Sequence, residues 1–393
     1  MRVLFTCVPQ TGHVTPLLPL AEAFARRGDE VLFASGPDVA DVLVGRGFGF
    51  HEVGPPYGEW YTALVRRTRG QPGDGLPTDR VEHYFLPRLF GEVGAALVVD
   101  DLLRVARAAQ PALVVFDTLM LAAPLVAVAT GAHAVQHTFG AVTSPEVLAL
   151  VADAVSPMWR EAGLESRRDA GLHSGTTLAI CPPSLDPAAA SVPGVQPLRP
   201  VPLPLASAPE PAVLEGLTSR PLVYVTLGTF SNSNVALLET LVRVLADLPV
   251  EVVVTVGRDV DPAVLAPWPA HVRVERFIPQ ADLLPHCSAV VHHAGAGTTF
   301  GVLAHGLASV ALPQSADNFT IGERLSAAGA GRTLMPADVS DAAVGAAVQE
   351  VLEDATYRDR ARALADEIAG MPGPDEVAER LARRCVASSV AGD

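Results

Sequence analysis

The sequence predicts an α/β protein built from two doubly wound domains. Short apolar runs alternate with longer segments of helical periodicity, and this series occurs twice along the chain. The length of 393 residues exceeds what one hydrophobic core usually supports. Aromatic residues make up only 5% of the chain, which is typical of parallel sheets rich in Val and Leu and covered by Ala-rich helices. We therefore expect two domains, each organised around a parallel sheet.

The first half of the chain contains five predicted strands. Segments of helical periodicity separate them, for example LLPLAEAFARRG, whose final glycine favours the end of a helix. In chain order the strands are RVLFTCV, DEVLFAS, GFHEV, ALVVFD and HAVQHT.

Residues 55–90 interrupt this first series with a stretch rich in aromatic residues, glycine and proline. Long insertions in such folds are usually loops over the active face, so the stretch is a candidate for shaping a substrate pocket. A solvated loop with its own helix is the alternative, and the sequence leaves both open.

A proline-rich segment at residues 181–221 separates the two series, because its proline density forbids a continuous helix or a central strand. We place the domain boundary near residue 205, which gives domains of residues 1–205 and 206–372. The second series contains five predicted strands: PLVYVTLG, VEVVVTVG, VRVERFIP, AVVHHAG and ASVALPQ.

Composition excludes several classes of partner. A formal net charge of -15 argues against nucleic acid and against anionic membrane surfaces. The N-terminal apolar run is too short for a secretory signal, and no apolar stretch reaches the roughly 20 residues of a membrane span. The four cysteines have neither metal-ligand spacing nor the density of a disulfide scaffold. A cytoplasmic protein with reduced thiols is expected.

His13 and Asp117 are the candidate catalytic residues of the first domain. Doubly wound sheets bind ligands at the carboxyl ends of their strands, at the switch point between the first and fourth strands. His13 follows the first strand and Asp117 ends the fourth. A carboxylate that accepts a proton from one imidazole nitrogen leaves the other free to act as a base. We expect Thr15 to cap the following helix with Pro16 at its first position. A structural turn histidine is the alternative.

A turn of small residues leads from the fourth strand of the second domain into a helix, in HHAGAGTTFGVLAHG. Small residues let a ligand approach the backbone, and amides at a helix start bind anions. Neither the P-loop nor the third glycine of the dinucleotide fingerprint is present, and a packing device is the alternative. The segment predicts a diphosphate site with His293 as a proton donor, and its candidate residues are Gly228, Thr229, His293, Gly295, Ala296, Gly297 and Thr298.

Further ligand contacts are predicted where neighbouring strands end. Asp317 and Asn318 offer groups for sugar hydroxyls, and the Phe277 ring could stack on a base beside Gln280. A buried phenylalanine and a helix-capping aspartate are the alternatives. An apolar acceptor pocket is open to several aromatic and histidine side chains, although some of them could simply pack the insertion. These are Tyr57, Trp60, Tyr61, Tyr84, Phe85, His137, Phe139 and Trp159.

At these residues the chain resembles a known family, the inverting glycosyltransferases of antibiotic biosynthesis. The resemblance spans nearly the whole chain and is carried by TGHVTPLLPLAEAFARRGDEVLFAS, RFIPQADLLPHCSAVVHHAGAGTTFGVLAHGLASVALPQSADNF and AGMPGPDEV. It implies the GT-B architecture, with two Rossmann-like domains that face each other across a cleft. It also implies transfer of a sugar, commonly from a dTDP-deoxysugar, to a hydroxyl of a hydrophobic natural product.

The resemblance assigns roles to individual positions. His13 matches the general base and Asp117 its partner, while His293, Gly295, Gly297 and Thr298 match the diphosphate site. Phe277 falls where many members have a tryptophan, and Ile278 and Gln280 match base-contacting positions. Asp317 matches the sugar-contacting acid, but Asn318 replaces a glutamine of glucose-using relatives, which argues against glucose. Residues 373–393 are expected to form a helix that crosses back to the first domain.

A metal site is not expected. Asp259 and Asp261 spell the Asp-x-Asp pattern of a different glycosyltransferase fold, but they follow a strand inside a doubly wound domain, where surface acids are the simpler interpretation. An anion site of amides and histidine needs no metal, and no cofactor is expected apart from the nucleotide-sugar co-substrate.

We therefore expect an inverting, metal-independent glycosyltransferase. Two other classes stay open: a non-catalytic auxiliary protein that binds nucleotide sugar, and a nicotinamide-dependent oxidoreductase. The retained His13 and Asp117 argue against the first, and the single glycine of CVPQTGH argues against the second. The acceptor, the sugar, the type of glycosidic bond and the oligomeric state stay open, with a homodimer one option.

Overall fold

The computed structural model describes residues 1–68, 81–201, 212–228, 234–257, 260–315 and 317–390. The chain divides into two compact units. The first consists of Met1–Pro183, Pro187–Arg199 and Met371–Asp393, and the second of Ser184–Asp186 and Pro200–Gly370. The change of unit after Arg199 precedes the predicted boundary at 205. No sequence signal predicts the placement of Ser184–Asp186 in the second unit, where Asp186 forms an ion pair with Arg324 at 2.6 Å.

The first unit contains a seven-stranded parallel sheet in the order β3-β2-β1-β4-β5-β6-β7. The five predicted strands are confirmed, and β1 pairs with β4, which creates the expected switch point. The strands are β1 (Arg2–Thr6), β2 (Glu30–Ser35), β3 (Gly49–Glu52), β4 (Leu113–Asp117), β5 (His133–His137), β6 (Thr176–Ala179) and β7 (Val195–Pro197). Sequence reasoning missed β6 and β7 because both are short. The sheet edge also tolerates the proline of β7.

Helices cover this sheet, and the insertion at residues 55–90 is helical in its described part. The helical part agrees with the alternative of a loop with its own helix, the pocket-shaping role stays a prediction, and residues 69–80 lie outside the described residues. The helices are α1 (Thr11–Val14), α2 (Leu18–Arg26), α3 (Ala40–Val44), α4 (Tyr57–Thr68), α5 (Val81–Phe85), a π-helical segment (Leu86–Ala95), α6 (Ala96–Ala109), α7 (Ala123–Thr130), α8 (Pro145–Glu161) and, near the C-terminus, α15 (Pro374–Val390).

The C-terminal helix α15 belongs to the first unit and packs against α2. Arg26 of α2 binds Asp375 of α15 at 2.7 Å, and Arg384 donates to the Thr176 hydroxyl of β6 at 2.8 Å. Buried Val377 and Leu381 supply the apolar part of this packing face.

The second unit repeats the design with a six-stranded parallel sheet in the order β10-β9-β8-β11-β12-β13. Here β8 pairs with β11, so a second switch point lies between the first and fourth strands of this unit. The strands are β8 (Leu222–Thr226), β9 (Glu251–Thr255), β10 (Val272–Glu275), β11 (Ala289–His292), β12 (Ser309–Ala311) and β13 (Gly331–Thr333). All five predicted strands are confirmed. The three-residue edge strand β13 was missed because it has no apolar run.

The helices of this unit are α9 (Val235–Ala246), α10 (Gln280–Leu283), α11 (Ala296–Ala304), α12 (Asn318–Ala327), α13 (Asp341–Glu353) and α14 (Ala355–Gly370). The strands β8 and β9 are fully buried and rich in valine, as parallel strands covered on both faces require. Across the described ranges of both units, no helix is long and apolar enough to cross a membrane.

Candidate active site

His13 lies in a helical turn, not in the loop before one. The prediction that Thr15 caps the helix is wrong, because α1 already begins at Thr11 with Gln10 as its N-cap residue. The amides of His13 and Val14 both donate to the Gln10 carbonyl at 3.0 Å. Pro16 has no amide hydrogen to donate, and the chain passes through a 3-10 turn before α2 begins at Leu18. His13 therefore sits at the start of a continuous helical stretch, at the carboxyl end of β1.

The His13 imidazole contacts the Asp117 carboxylate. Nδ1 of His13 lies 3.0 Å from Oδ1 of Asp117, and the Asp117 side chain is only 1% exposed. A carboxylate can only accept, so Nδ1 carries the proton and Nε2 keeps its lone pair when the ring is neutral. Among the described residues, no donor lies within hydrogen-bonding distance of Nε2. This is the arrangement in which a histidine removes a proton from a hydroxyl group.

Asp117 is fixed by two backbone amides besides His13. The Val8 amide donates to Oδ2 at 2.7 Å, and the Leu119 amide donates to Oδ1 at 2.9 Å. These hydrogen bonds compensate the buried carboxylate and set its direction toward β1. The neighbouring Cys7 is not a competing nucleophile, because burial, assisted by the Asp117 charge, raises the pKa of its thiol far above neutrality.

Two phenylalanines flank the imidazole. The Phe139 ring centroid lies 4.6 Å from that of His13, and the Phe90 centroid lies 6.5 Å away. Phe139 is half-buried and follows β5, so this predicted acceptor residue does lie beside the candidate base. Sequence reasoning did not single out Phe90, which belongs to the π-helical segment, because helix packing alone brings it to His13.

Three of the predicted pocket residues are core residues instead. Trp60 and Trp159 are each 1% exposed, and a Cβ on Gly94 would overlap the Trp60 ring. His137 is equally buried, and its Nδ1 donates to the Thr138 carbonyl at 2.6 Å. Burial lowers the pKa of His137 to about 4, so its ring is neutral at physiological pH. The sequence marks these residues as aromatic or polar but does not show which way they point.

The remaining predicted aromatics are partly exposed. Tyr57 packs beside Trp60 with the ring centroids 5.8 Å apart, and burial raises the pKa of its hydroxyl to about 12. Tyr84 and Phe85 meet edge to face at 5.3 Å, and the Arg88 guanidinium lies over the Tyr84 ring at 4.5 Å. No contact of these side chains with His13 is seen in the described parts of the chain.

The second unit presents the small-residue turn between β11 and α11. Ala294 has a left-handed backbone with φ of +62°, which only glycine adopts readily. Gly295 is the N-cap residue of the nine-residue helix α11, and no side chain caps this end. The first-turn amides of such a helix have no acceptor within it, so they are available to an anion.

His293 is held between two glycines. A Cβ on Gly228 or on Gly295 would overlap the His293 ring, so both positions need glycine for this packing. Burial lowers the pKa of His293 to about 4, so its ring is a neutral imidazole and not a cation at physiological pH. Thr229, the predicted neighbour of Gly228, lies outside the described residues.

Gln280 and Thr298 are linked to each other. The Gln280 amide donates to the Thr298 hydroxyl at 3.1 Å, which leaves the Thr298 proton for another acceptor. Ala296 is buried and Gly297 is exposed in the same first turn of α11. Apart from Thr229, which lies outside the described residues, the predicted diphosphate residues lie around the start of α11.

Phe277 and Ile278 have different environments. The Phe277 side chain is 42% exposed, as a stacking surface requires, whereas Ile278 is buried in the core of the second unit. The Ile278 side chain is therefore not a ligand contact, and only its backbone could meet a base.

Asp317 and Asn318 stand at the start of α12. Asn318 is buried, and in the orientation that satisfies its neighbours its amide nitrogen donates to the carbonyls of His293 at 3.2 Å and Ser315 at 3.0 Å. Asn318, a predicted sugar contact, thus links α12 to the small-residue turn before α11, while Asp317 is the more accessible of the two.

The candidate Asp-x-Asp residues, Asp259 and Asp261, follow β9. The described ranges contain no cluster of three or more His, Cys, Asp or Glu side chains that could hold an ion. Asp261 accepts from the Ala263 amide at 3.1 Å and caps a 3-10 turn, and Asp259 lies outside the described residues.

Two doubly wound units, one with a histidine–carboxylate pair and the other with an open helix start, define a transferase of the GT-B class. Residues 239–383 match the family described as erythromycin biosynthesis protein CIII-like, C-terminal domain. The chain is 33% identical over 389 residues to L-demethylnoviosyl transferase of Streptomyces niveus, covering 97% of this chain and 98% of that one. It belongs to the glycosyltransferases of antibiotic biosynthesis.

Solved structures agree with this family. Glycosyltransferase VinC in complex with dTDP has a TM-score of 0.81 and 25% identity, covering 98% of this chain and all of that one. Spinosyn rhamnosyltransferase SpnG complexed with spinosyn aglycone has a TM-score of 0.80 and 26% identity, covering 97% of this chain and all of that one. The predicted family and fold are confirmed.

Proposed function

We propose that this enzyme transfers a deoxysugar from a dTDP-linked donor to a hydroxyl of a hydrophobic natural product, with inversion at the anomeric carbon and without a metal ion. The observation that carries the proposal is the contact between His13 and buried Asp117. It gives the first unit an imidazole whose tautomer, when the ring is neutral, is fixed by the carboxylate and whose second nitrogen can then accept a proton.

The proposed reaction is a single displacement. The acceptor hydroxyl donates to Nε2 of His13 and attacks the anomeric carbon of the sugar. The new C–O bond forms as the bond from that carbon to the diphosphate oxygen breaks. The hydroxyl proton passes to His13, and the electron pair of the broken bond leaves with dTDP. Asp117 stabilises the resulting imidazolium through its hydrogen bond to Nδ1.

The donor half of the proposal rests on the second unit. The first-turn amides of α11 and the neutral His293 ring would bind the diphosphate, and they would stabilise the charge that develops on the leaving group. The exposed Phe277 ring would stack on the base. The structure of VinC with dTDP supports a thymidine nucleotide as the carrier.

The acceptor half rests on the surroundings of His13. Phe139 and Phe90 place apolar rings near the base, which suits an aromatic or macrocyclic substrate better than a polar one. The SpnG complex with its aglycone supports a hydrophobic acceptor.

The test is turnover with a panel of dTDP-deoxysugars and of aromatic and macrocyclic acceptors, followed by mass spectrometry. We expect a glycoside and dTDP in equal amounts, no effect of EDTA, and an anomeric configuration by NMR opposite to that of the donor. Retention of configuration would exclude the single displacement. Binding of dTDP-sugar without turnover on any acceptor would favour the auxiliary protein.

A further inference from the structure

The His292 side chain lies behind the anion-binding turn, inside the second unit. It is fully buried at the end of β11. Its Nδ1 accepts a hydrogen bond from the Ala294 amide at 3.1 Å, and its Nε2 lies 3.0 Å from the Ser309 hydroxyl oxygen on β12. Since an amide can only donate, Nδ1 carries the lone pair and Nε2 the proton, so Ser309 is the acceptor.

Ala294, whose amide donates to His292, has a strained backbone conformation. Ala294 is buried and has φ of +62°, a conformation that a residue with a Cβ adopts rarely and that surrounding contacts must impose. Its amide is held by a side chain two residues earlier, which is the hydrogen bond of an Asx turn made by histidine. The left-handed residue is followed directly by Gly295, where α11 begins.

We propose that His292 is a positioning residue for the donor diphosphate: by holding Ala294 in the left-handed conformation, it directs the His293 ring and the first-turn amides of α11 toward the ligand. The proposal rests on the proposed function, because it assumes that the helix start is the diphosphate site. It differs from a packing role, since an apolar side chain of similar size would fill the same space without holding the Ala294 amide.

Two substitutions separate the two nitrogens of His292. His292→Asn places an amide oxygen near the position of Nδ1, so it can form the ordinary Asx turn with Ala294. His292→Gln places its amide near the position of Nε2, so it reaches toward Ser309 and not Ala294. A third protein, His292→Leu with Ser309→Ala, removes both polar partners and leaves only the Ala294 amide without an acceptor. Ser309→Ala alone is its matched control.

The measurement is calorimetric titration with thymidine diphosphate (TDP), which is the dTDP released in the proposed reaction. Thymidine serves as a probe that has no phosphate. We expect the Leu/Ala protein and His292→Gln to bind TDP about tenfold more weakly than the wild type, which is about 1.4 kcal/mol. His292→Asn and Ser309→Ala should stay within about twofold of the wild type, and thymidine binding should be unchanged throughout. In turnover, the donor KM should rise more than kcat falls.

Each outcome decides a different point. If the wild type binds TDP and the Leu/Ala protein binds it equally well, the positioning role is wrong while the donor site stands. If the wild type does not bind TDP, the proposed donor site itself is wrong. Should the Leu/Ala protein fail to fold by circular dichroism, the Asn and Gln variants decide the matter, and equal TDP affinity of these two overturns the proposal.

Discussion

His13 Nδ1 and Asp117 Oδ1 lie 3.0 Å apart, although 104 residues separate them in the chain. The contact exists because β1 and β4 are neighbours in the first sheet, so residues at their carboxyl ends meet. Asp117 also accepts hydrogen bonds from the Val8 and Leu119 amides, which fix its carboxylate in place. His13 uses only Nδ1 in its contact with Asp117, so Nε2 is available to a substrate.

His13→Ala should remove catalysis without removing donor binding. A general base typically contributes 10²–10⁴-fold, so we expect turnover to fall by about that factor. The proposed donor residues belong to the second unit, so TDP affinity by calorimetry should stay within about twofold of the wild type. Loss of TDP affinity with normal turnover would contradict the assignment of His13.

Asp117→Asn should reduce both turnover and stability. The three described donors to the carboxylate need acceptor oxygens, and an amide must turn its NH₂ group toward at least one of them. We expect a loss of about 1–3 kcal/mol in the free energy of unfolding, the usual penalty for an unpaired buried polar group. Turnover should fall by about 10²-fold or more, because the histidine tautomer is no longer fixed. Urea unfolding and steady-state kinetics measure the two effects, and an active, fully stable variant would show that the contact is incidental.

Phe139→Ala should weaken the binding of the acceptor and leave the binding of the donor unchanged. Its ring lies 4.6 Å from His13, so its loss removes apolar surface from beside the base. Full burial of a large apolar side chain contributes roughly 1.5–3 kcal/mol. Because Phe139 is only half-buried, we expect the acceptor KM to rise about tenfold, which corresponds to about 1.4 kcal/mol. The TDP affinity should be unchanged. Val44→Ala is the control for loss of an apolar side chain, because Val44 is exposed on α3 and makes no described contact with His13. An equal change in both variants would remove Phe139 from the acceptor site.

Gly295→Ala and Gly297→Ala should have opposite effects on stability. A Cβ at 295 overlaps the His293 ring, whereas a Cβ at 297 meets nothing within 4 Å. We expect Gly295→Ala to destabilise by about 1–3 kcal/mol, and Gly297→Ala to stabilise by up to about 1 kcal/mol through helix propensity.

TDP titration completes this comparison. Gly295→Ala should bind TDP more weakly because the His293 ring is displaced. Gly297→Ala should also bind it more weakly, because the new methyl group occupies the exposed space beside the first-turn amides. Unchanged TDP affinity in Gly297→Ala would show that the ligand does not approach this backbone.

The stability of the protein should fall between about pH 6.5 and pH 4 because of its buried histidines. Burial lowers the pKa values of His137 and His293 to about 4 and that of His292 to about 3. The unfolded chain binds a proton at each near pH 6.5, while the folded protein does not, so stability decreases as the pH falls through this range. Within this range each histidine lowers the free energy of unfolding by about 1.4 kcal/mol for each pH unit.

His137→Asn isolates one of these contributions. Its amide can still donate to the Thr138 carbonyl, as His137 does, but it has no titrating group. Urea unfolding at several pH values gives the free energy of unfolding as a function of pH. The slope of this curve in the variant should be smaller than in the wild type by the contribution of about one proton. An identical slope would mean that His137 is protonated in the folded protein.

Much of the fold was predictable because its signals are local. Ten strands follow from short apolar runs, and the two switch points follow from the order in which doubly wound sheets are built. The missed strands β6, β7 and β13 have three or four residues each, and polar residues or proline occupy part of each of them. The start of α1 was misplaced because a threonine followed by a proline is typical of a helix start. In the structure Thr15 and Pro16 lie inside a helical stretch that already begins at Thr11.

The sequence by itself determined the two parallel sheets and the residues at the ends of their strands, because periodicity and strand order act along the chain. Only the tertiary structure decided which side chains those residues meet. It brought Asp117 to His13, turned Trp60 and His137 into the core, and placed His293 between two glycines. These contacts depend on side-chain direction and on packing between distant segments, and no local pattern encodes either.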